Sequence, residues 1–189
     1  ESYVSKLKTA KLSGYDKEAG IYKQKALAAA KQSANIGMMQ VIELTDAAMD
    51  TVLLREANLT SYERLSKIEQ NSTNDTYKQM LYGNVKDVNP LPIHYLGFAT
   101  ALSKSDIKSA FENAKTIDDE TSKLVALGIL AKLEPQNKVI YEEILSVSKP
   151  LGYRGVTIAA MSRLQAIYTK EGDKEKAAKA LLVLEELKR

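Results

Sequence analysis

What this sequence lacks already narrows its function. It has no cysteine, which excludes disulfides and thiolate metal sites. Its one histidine, His94, cannot supply the several ligands of a zinc site, and its neighbours offer neither a nucleophile nor an orienting acid. Glycine-rich phosphate loops are also missing. We therefore expect a non-enzymatic protein with no catalytic residue, no cofactor and no metal, and we interpret His94 as structural.

Glycine and proline are scarce, with nine and four copies in 189 residues. Strand-rich proteins need many turns, so this scarcity favours helices, and the abundant Ala, Leu, Lys and Glu are strong helix formers. The net charge is only +3, and the lysines are interleaved with Asp and Glu along the chain. That pattern is typical of solvated helix surfaces, so we expect no nucleic-acid partner.

Long apolar runs are absent as well. The longest, at 124–131, is far shorter than the about 20 residues that cross a bilayer. The chain begins at Glu1 rather than at Met, and we interpret it as a processed or excised piece. We expect a soluble domain, either the extracytoplasmic part of an anchored or secreted protein or, alternatively, a cytoplasmic one. Membrane attachment would need a segment that is absent from this chain.

The C-terminal third shows the clearest helical period. Apolar residues recur at i, i+3 and i+4 spacing over 156–170 and again over 174–188. Between these stretches, Gly172 suits a left-handed helix end and Asp173 suits the N-cap of the next helix. Because the break is short, we predict two adjacent, antiparallel helices.

The same pattern predicts further hairpins upstream. Helices are predicted at 92–102, 107–117, 121–133 and 139–147, so hairpins start near positions 92, 121 and 153, a period of roughly 30 residues. Either Ser105 or Asp106, and the acidic run 118–120, stand where N-caps are expected. At the N-terminus, Ser13 and Gly14 separate two more helical stretches. The sequence therefore predicts four hairpins.

The two outer hairpins also share a family motif. Its residues are Met161, Leu164, Tyr168, Gly172, Asp173, Ala177 and Leu181 at one end, and Gly14, Tyr15, Asp16, Glu18 and Ala19 at the other. In these residues the chain resembles the tetratricopeptide repeat family, although the middle hairpins lack the Gly-Asp turn. The resemblance implies an all-α fold of antiparallel helical hairpins, stacked as a short right-handed solenoid. It also implies a binding groove lined by the first helix of each hairpin, near Tyr95, Ala99, Lys123, Ala126, Arg163 and Ala166.

The stretch 36–91 does not fit the repeat. Residues 36–57 predict one long helix with a broad apolar face that includes Met38, Met39 and Met49. Such methionines ordinarily fill a core, and the alternative is an adaptable partner surface, including a homodimer contact through the 36–57 helix. Short helices are predicted near 62–68 and 76–82, followed by an irregular loop at 83–90.

These features predict one helical-repeat domain over 1–189. It comprises an N-terminal hairpin at 1–35, a non-repeat helical insertion and loop at 36–91, and three stacked hairpins at 92–189. We expect a non-catalytic scaffold or adaptor that binds a peptide or a partner protein on its repeat surface. The alternative is a small-ligand-binding or enzymatic helical domain, whose pocket is closed by the 36–91 segment and converges on His94.

Overall fold

The computed structural model describes residues 2–55, 98, 100–102 and 104–189, and this part of the chain is α-helical without strands. Its helices are α1 (Tyr3–Ser13), α2 (Asp16–Gln32), α3 (Ile36–Val52), α4 (Ile107–Lys115), α5 (Glu120–Leu133), α6 (Lys138–Ser148), α7 (Arg154–Glu171) and α8 (Lys174–Leu187). Residues 98 and 100–102 are also helical, within the helix predicted at 92–102. The predicted helices near 62–68 and 76–82, the loop at 83–90 and His94 lie outside the described residues.

The turn of the C-terminal hairpin has the predicted cap chemistry, and the first helix of the N-terminal hairpin ends in the same left-handed conformation. Gly14 and Gly172 end α1 and α7 in the left-handed conformation, with φ angles of 83° and 78°. The Asp173 side chain accepts a hydrogen bond from the backbone N–H of Lys176 at the start of α8. In each outer hairpin only two residues link the helices, which leaves no room for a wide loop, so each pair of helices packs antiparallel.

The middle helices begin at the predicted caps too. The Asp106 carboxylate accepts from the backbone N–H of Ser109, and the Asp119 carboxylate accepts from that of Ser122. These hydrogen bonds satisfy amides that have no partner inside the helix. The predicted N-caps of α4 and α5 are therefore confirmed.

Helix α3 ends at Val52, earlier than the predicted end at Ala57. Leu54 takes a left-handed conformation with φ 56°, and the next backbone N–H, that of Arg55, donates back to the Asp50 carbonyl at 3.0 Å. This is the hydrogen-bond pattern of a helix that stops at a left-handed residue, a position where glycine is usual. Because no glycine stands there, the sequence did not reveal the stop.

The helices pack as an assembly of hairpins in which α5 is central. α3 contacts both helices of the α1–α2 hairpin, and it also contacts α5. α5 in turn contacts α4 and α6. Further along the chain, α6 packs on α7, and α7 packs on α8. α1 also contacts α7, which joins the first hairpin to the last. The predicted all-α fold of stacked hairpins is confirmed, with this additional contact beyond the neighbour-to-neighbour packing of a simple solenoid.

Two glycines permit these inter-helix contacts. A Cβ atom at Gly128 of α5 would lie 2.5 Å from the backbone carbonyl oxygen of Thr51 in α3. A Cβ at Gly155 of α7 would lie 2.7 Å from the backbone nitrogen of Gly14 at the end of α1. Larger residues cannot occupy either position without displacing a neighbouring backbone.

The main apolar core runs from the end of α3 through α8, and a smaller cluster fills the space between α1, α2 and α3. The smaller cluster consists of Leu7, Ala10, Ala19, Ala26, Ala30 and Ile42. Four of these six side chains are alanines, so this interface buries little apolar surface for its length. No helix in the described part of the chain combines the length and the apolarity that crossing a bilayer requires.

Candidate functional site

An open cleft lies where the end of α3 meets α5, α6 and α7. Its volume is about 170 Å³, and it is lined by Leu54, Arg55, Ala131, Lys132, Pro135, Tyr141 and Arg163. Three of these seven residues are cationic and the others are apolar or aromatic. The cleft therefore combines positive charge with an apolar wall, at a seam between helical hairpins.

Arg163 lines one side of the cleft and contacts the end of α3. Its Nη2 donates to the backbone carbonyl oxygen of Leu54 at 3.0 Å, across the gap between α7 and the end of α3. The guanidinium thus stabilises a carbonyl that the left-handed turn leaves without a helical partner. The side chain is still exposed at the mouth of the cleft, so its remaining donors face solvent.

Arg55 forms the neighbouring wall, but its charge is largely compensated. Its Nη2 donates to both carboxylate oxygens of Asp16 at 2.8 and 2.7 Å, and its Nη1 lies 3.8 Å from an oxygen of Asp50. These contacts fix the guanidinium against α2 and α3. Arg55 therefore shapes the cleft more than it adds free charge.

Lys132, unlike Arg55, has no carboxylate paired with it in the described part of the chain. It lies in the last turn of α5 and is exposed, and within the described residues it forms no ion pair. Arg163 likewise has no carboxylate partner in that part of the chain. Together they leave the cleft with a net positive potential.

Tyr141 forms the apolar floor and is only 2% exposed. Its hydroxyl donates to the Pro135 carbonyl oxygen at 2.7 Å. Burial raises the pKa of this hydroxyl above its usual range, although the positive charge of Arg163 acts in the opposite direction. Tyr141 is therefore a neutral phenol at physiological pH and adds no negative charge beside the cations.

Among the described residues that the sequence assigned to partner binding, only Arg163 lines this cleft. Ala166 is exposed on the same helix, and Lys123 is half-buried on α5. Ala126 is fully buried in the main core, so its side chain faces α5's neighbours rather than solvent. Tyr95 and Ala99 lie outside the residues whose placement is described.

The three methionines of the predicted α3 face have different environments. Met49 is 2% exposed and belongs to the main core, whereas Met38 is 41% exposed. Met39 packs against the smaller cluster. Met49 therefore fills the core, and Met38 is the one with most surface left for a partner or a second copy of the chain.

Lys132, Arg55 and Tyr141 were missed at the sequence level. They belong to three elements, and no local spacing connects them. One weak signal existed, because arginine is rare, with five copies, and two of them, Arg55 and Arg163, line the cleft. Arginine is enriched at protein interfaces, where its planar donors bind carboxylates.

A second unusual feature is a buried ionic cluster between α1, α2 and α3. Lys11 Nζ lies 2.6 Å from Asp50 Oδ1 and 3.1 Å from Asp46 Oδ1. Lys23 Nζ lies 2.7 Å from Asp46 Oδ2 and 3.0 Å from Glu43 Oε2. All five side chains are at most 14% exposed. The face of α3 that meets the N-terminal hairpin therefore carries buried charges beside the apolar Ile42.

The charges in this cluster stabilise one another. Burial acts to raise the pKa of Asp46, but hydrogen bonds and charges from Lys23 and Lys11 outweigh it, so this pKa is lowered. Burial acts to lower the pKa of Lys23, but Asp46 and Glu43 outweigh it, so this pKa is raised. The ions are thus paired internally. Across the described part of the chain, no group of acidic or histidine side chains has an arrangement that would hold a metal ion.

Comparison with known proteins found no matching family, no similar curated protein and no similar solved structure. The fold and the cleft are therefore the basis for a functional proposal.

Proposed function

We propose that this protein is a non-catalytic interaction scaffold that binds a peptide or a partner protein on its hairpin surface. The observation that carries the proposal is the cleft at the seam of α3, α5, α6 and α7. It is open, it joins cationic to apolar side chains, and it lies beside the exposed face of α7 that carries Arg163 and Ala166. Helical-hairpin stacks commonly bind partners on such continuous surfaces.

We also propose that the hairpins are tetratricopeptide-like. Support comes from the two outer turns, where Gly14 and Gly172 share the left-handed conformation. Ala19 and Ala177 follow these glycines at the same spacing, and Ala19 is fully buried in its hairpin. The contact between α1 and α7 would then distinguish this chain from a linear array of such repeats.

The test begins with affinity purification on the immobilised chain, followed by measuring the affinity of each purified candidate partner. Ala166→Trp places a large side chain on the exposed face of α7. We expect this variant to bind a true partner about tenfold more weakly, or weaker still. Ala178→Trp on the exposed face of α8 is the matched control and should leave the affinity unchanged. The proposal fails if no purified protein or peptide binds the wild-type chain, or if the two variants have equal effects.

A second candidate is a small-ligand site closed by the 36–91 segment. One observation favours it, because Leu54 and Arg55 of that segment form a wall of the cleft. The volume of about 170 Å³ is smaller than the roughly 300–1,000 Å³ of typical ligand pockets. We therefore place it second. Thermal unfolding with a panel of small organic anions tests it, since a true ligand raises the midpoint in a concentration-dependent manner.

A further inference from the structure

We propose that the basic cleft is a subsite for a single acidic side chain, an Asp or Glu within an extended segment of the partner, held between Lys132 and Arg163. This inference rests on the scaffold function proposed above. It adds the chemistry of the partner: an internal carboxylate flanked by residues that lie on the apolar wall.

Two cations of the cleft, Lys132 and Arg163, are not paired with a carboxylate of the described residues. Some lysines of the described chain are paired, such as Lys138 with Glu171 at 2.6 Å and Lys179 with Glu175 at 2.6 Å, whereas exposed lysines such as Lys31 and Lys170 have no ion pair in that part of the chain. Lys132 and Arg163 have none within that part of the chain, and both line the same concave surface. A concave site that concentrates one sign of charge attracts the opposite charge from a partner.

The cleft also offers hydrogen-bond donors that a carboxylate can use. Arg163 uses Nη2 for the Leu54 carbonyl, and its other N–H groups have no partner among the described residues. Those groups and the ammonium of Lys132 can donate to the two oxygens of one carboxylate. Because the Leu54 contact already orders the guanidinium, binding costs less side-chain entropy than it would for a free arginine.

The size and the lining of the cleft fit one amino-acid side chain. About 170 Å³ is too small for a cofactor-sized ligand, and the open mouth lets a bound side chain continue into a polypeptide outside. Tyr141, Leu54 and Ala131 offer apolar surface for the methylene groups of that side chain. The neutral Tyr141 hydroxyl is occupied by the Pro135 carbonyl and does not oppose a carboxylate.

The test uses two synthetic peptides with acetylated and amidated ends, identical except for a central Glu or Gln between leucines. Binding to the full ¹⁵N-labelled chain is followed by NMR titration. We expect the Glu peptide to shift the amides of Leu54, Lys132 and Arg163, and to bind about tenfold more tightly than the Gln peptide. Equal affinities would overturn the subsite.

Variants of the chain separate the roles of the two cations. Lys132 is exposed and forms no side-chain hydrogen bond or ion pair with the described residues, so Lys132→Ala should fold normally and lose most of the preference for Glu, while Lys132→Arg should keep it. Lys170→Ala, on the exposed last turn of α7, is the control and should change nothing. A preference for Glu that survives Lys132→Ala, or that also disappears in Lys170→Ala, would overturn the proposal.

A third arm uses inorganic phosphate alone. Phosphate that shifts the same amides but binds more weakly than the Glu peptide fits the proposal, whereas tighter binding of phosphate would identify a free-anion site instead.

The two proposals can fail separately. Partner binding that depends on Ala166 but shows no preference for Glu removes the subsite and leaves the scaffold. A Glu preference without any protein partner removes the scaffold.

Discussion

The interface between the N-terminal hairpin and α3 differs in kind from the core around α5. Five buried charged side chains lie in the first, beside its small apolar cluster, whereas the fully buried Leu124, Leu127 and Leu130 belong to the second. Apolar packing is insensitive to direction and contributes most of the stability. Buried ion pairs add little net stability, because desolvation offsets their attraction. Their effect is on geometry, since sliding α3 by one turn would bury charges without partners.

The largest expected effect lies in the apolar region. Leu127 of α5 is fully buried, and Leu127→Ala should lower the free energy of unfolding by about 3 kcal/mol. For a chain of this size, that corresponds to a fall in the midpoint of thermal unfolding of roughly 6–12 °C. Leu182→Ala on α8, where the side chain is 61% exposed, should change the midpoint by little. Equal losses in the two variants would contradict the apolar core described here.

In the charged region, Asp46→Ala should cost about 2 kcal/mol, less than the roughly 3–5 kcal/mol for breaking an isolated buried pair. Asp46 is shared by Lys11 and Lys23, so its removal leaves each lysine with one remaining carboxylate partner. We expect the loss to concentrate in α1, α2 and α3, which hydrogen exchange of backbone amides would show as faster exchange there than in α7 and α8. A uniform increase along the whole chain would argue against a separate role for this interface.

The pH dependence of stability should reveal the same cluster. The pKa of Asp46 is lowered from 3.8, so its contribution is present above that value and is lost as pH falls through the lower, folded pKa. The pKa of Lys23 is raised from 10.5, so its contribution is present below that value and is lost as pH rises through the higher, folded pKa. Urea unfolding across both windows measures these losses. Asp46→Asn should reduce the loss of unfolding free energy at acid pH. An unchanged pH profile would contradict the pairing of Asp46 with Lys11 and Lys23.

A gain of stability is expected at Gln40. This side chain is 1% exposed, and neither polar atom of its amide has a hydrogen-bond partner among the described residues. Gln40→Met keeps a similar volume and removes the unsatisfied amide, so it should raise the free energy of unfolding by about 1 kcal/mol. Gln32→Met, at an exposed position at the end of α2, provides the comparison and should give no such gain. Urea unfolding at neutral pH would detect the difference, and a loss at position 40 would mean that the amide is satisfied.

The smallest effect is expected at an exposed ion pair of similar length. Lys179 Nζ lies 2.6 Å from Glu175 Oε1 on α8, close to the 2.7 Å between Lys23 Nζ and Asp46 Oδ2. Because both side chains of the α8 pair are more than 70% exposed, Glu175→Gln should change stability by less than about 0.5 kcal/mol. A loss as large as that of Asp46→Ala would show that burial is not what separates the two pairs.

Local chemistry explains which parts of the fold were predictable. Gly172 and Asp173 define a turn through their own conformations, so the sequence predicted it closely. The early end of α3 was not predictable, because Leu54 takes a left-handed conformation with its carbonyl bound by the distant Arg163. The ionic interface was missed for a similar reason. Glu43 and Asp46 look solvent-facing until the lysines of α1 and α2 are brought beside them.

The candidate site was predictable only in part. The family resemblance placed Arg163 near a groove, and the structure places it in the cleft. Lys132 and Tyr141 gave no signal, because their common location depends on how α5, α6 and α7 pack. A pattern that repeats along one helix can be recognised in a sequence, whereas a site formed between helices needs their tertiary arrangement.

The contact between Gly14 and Gly155 has a consequence for how the chain folds. It brings the end of the first helix against the beginning of α7, so α1 cannot complete its packing until most of the chain has been synthesised. Contacts between residues so far apart in sequence slow folding, because a long loop must close before they form. The charged face of α3 has its own partners in α1 and α2 and can assemble early. The N-terminal hairpin would then fold on α3 first and dock on α7 as a late step, during which its small apolar surface is transiently exposed.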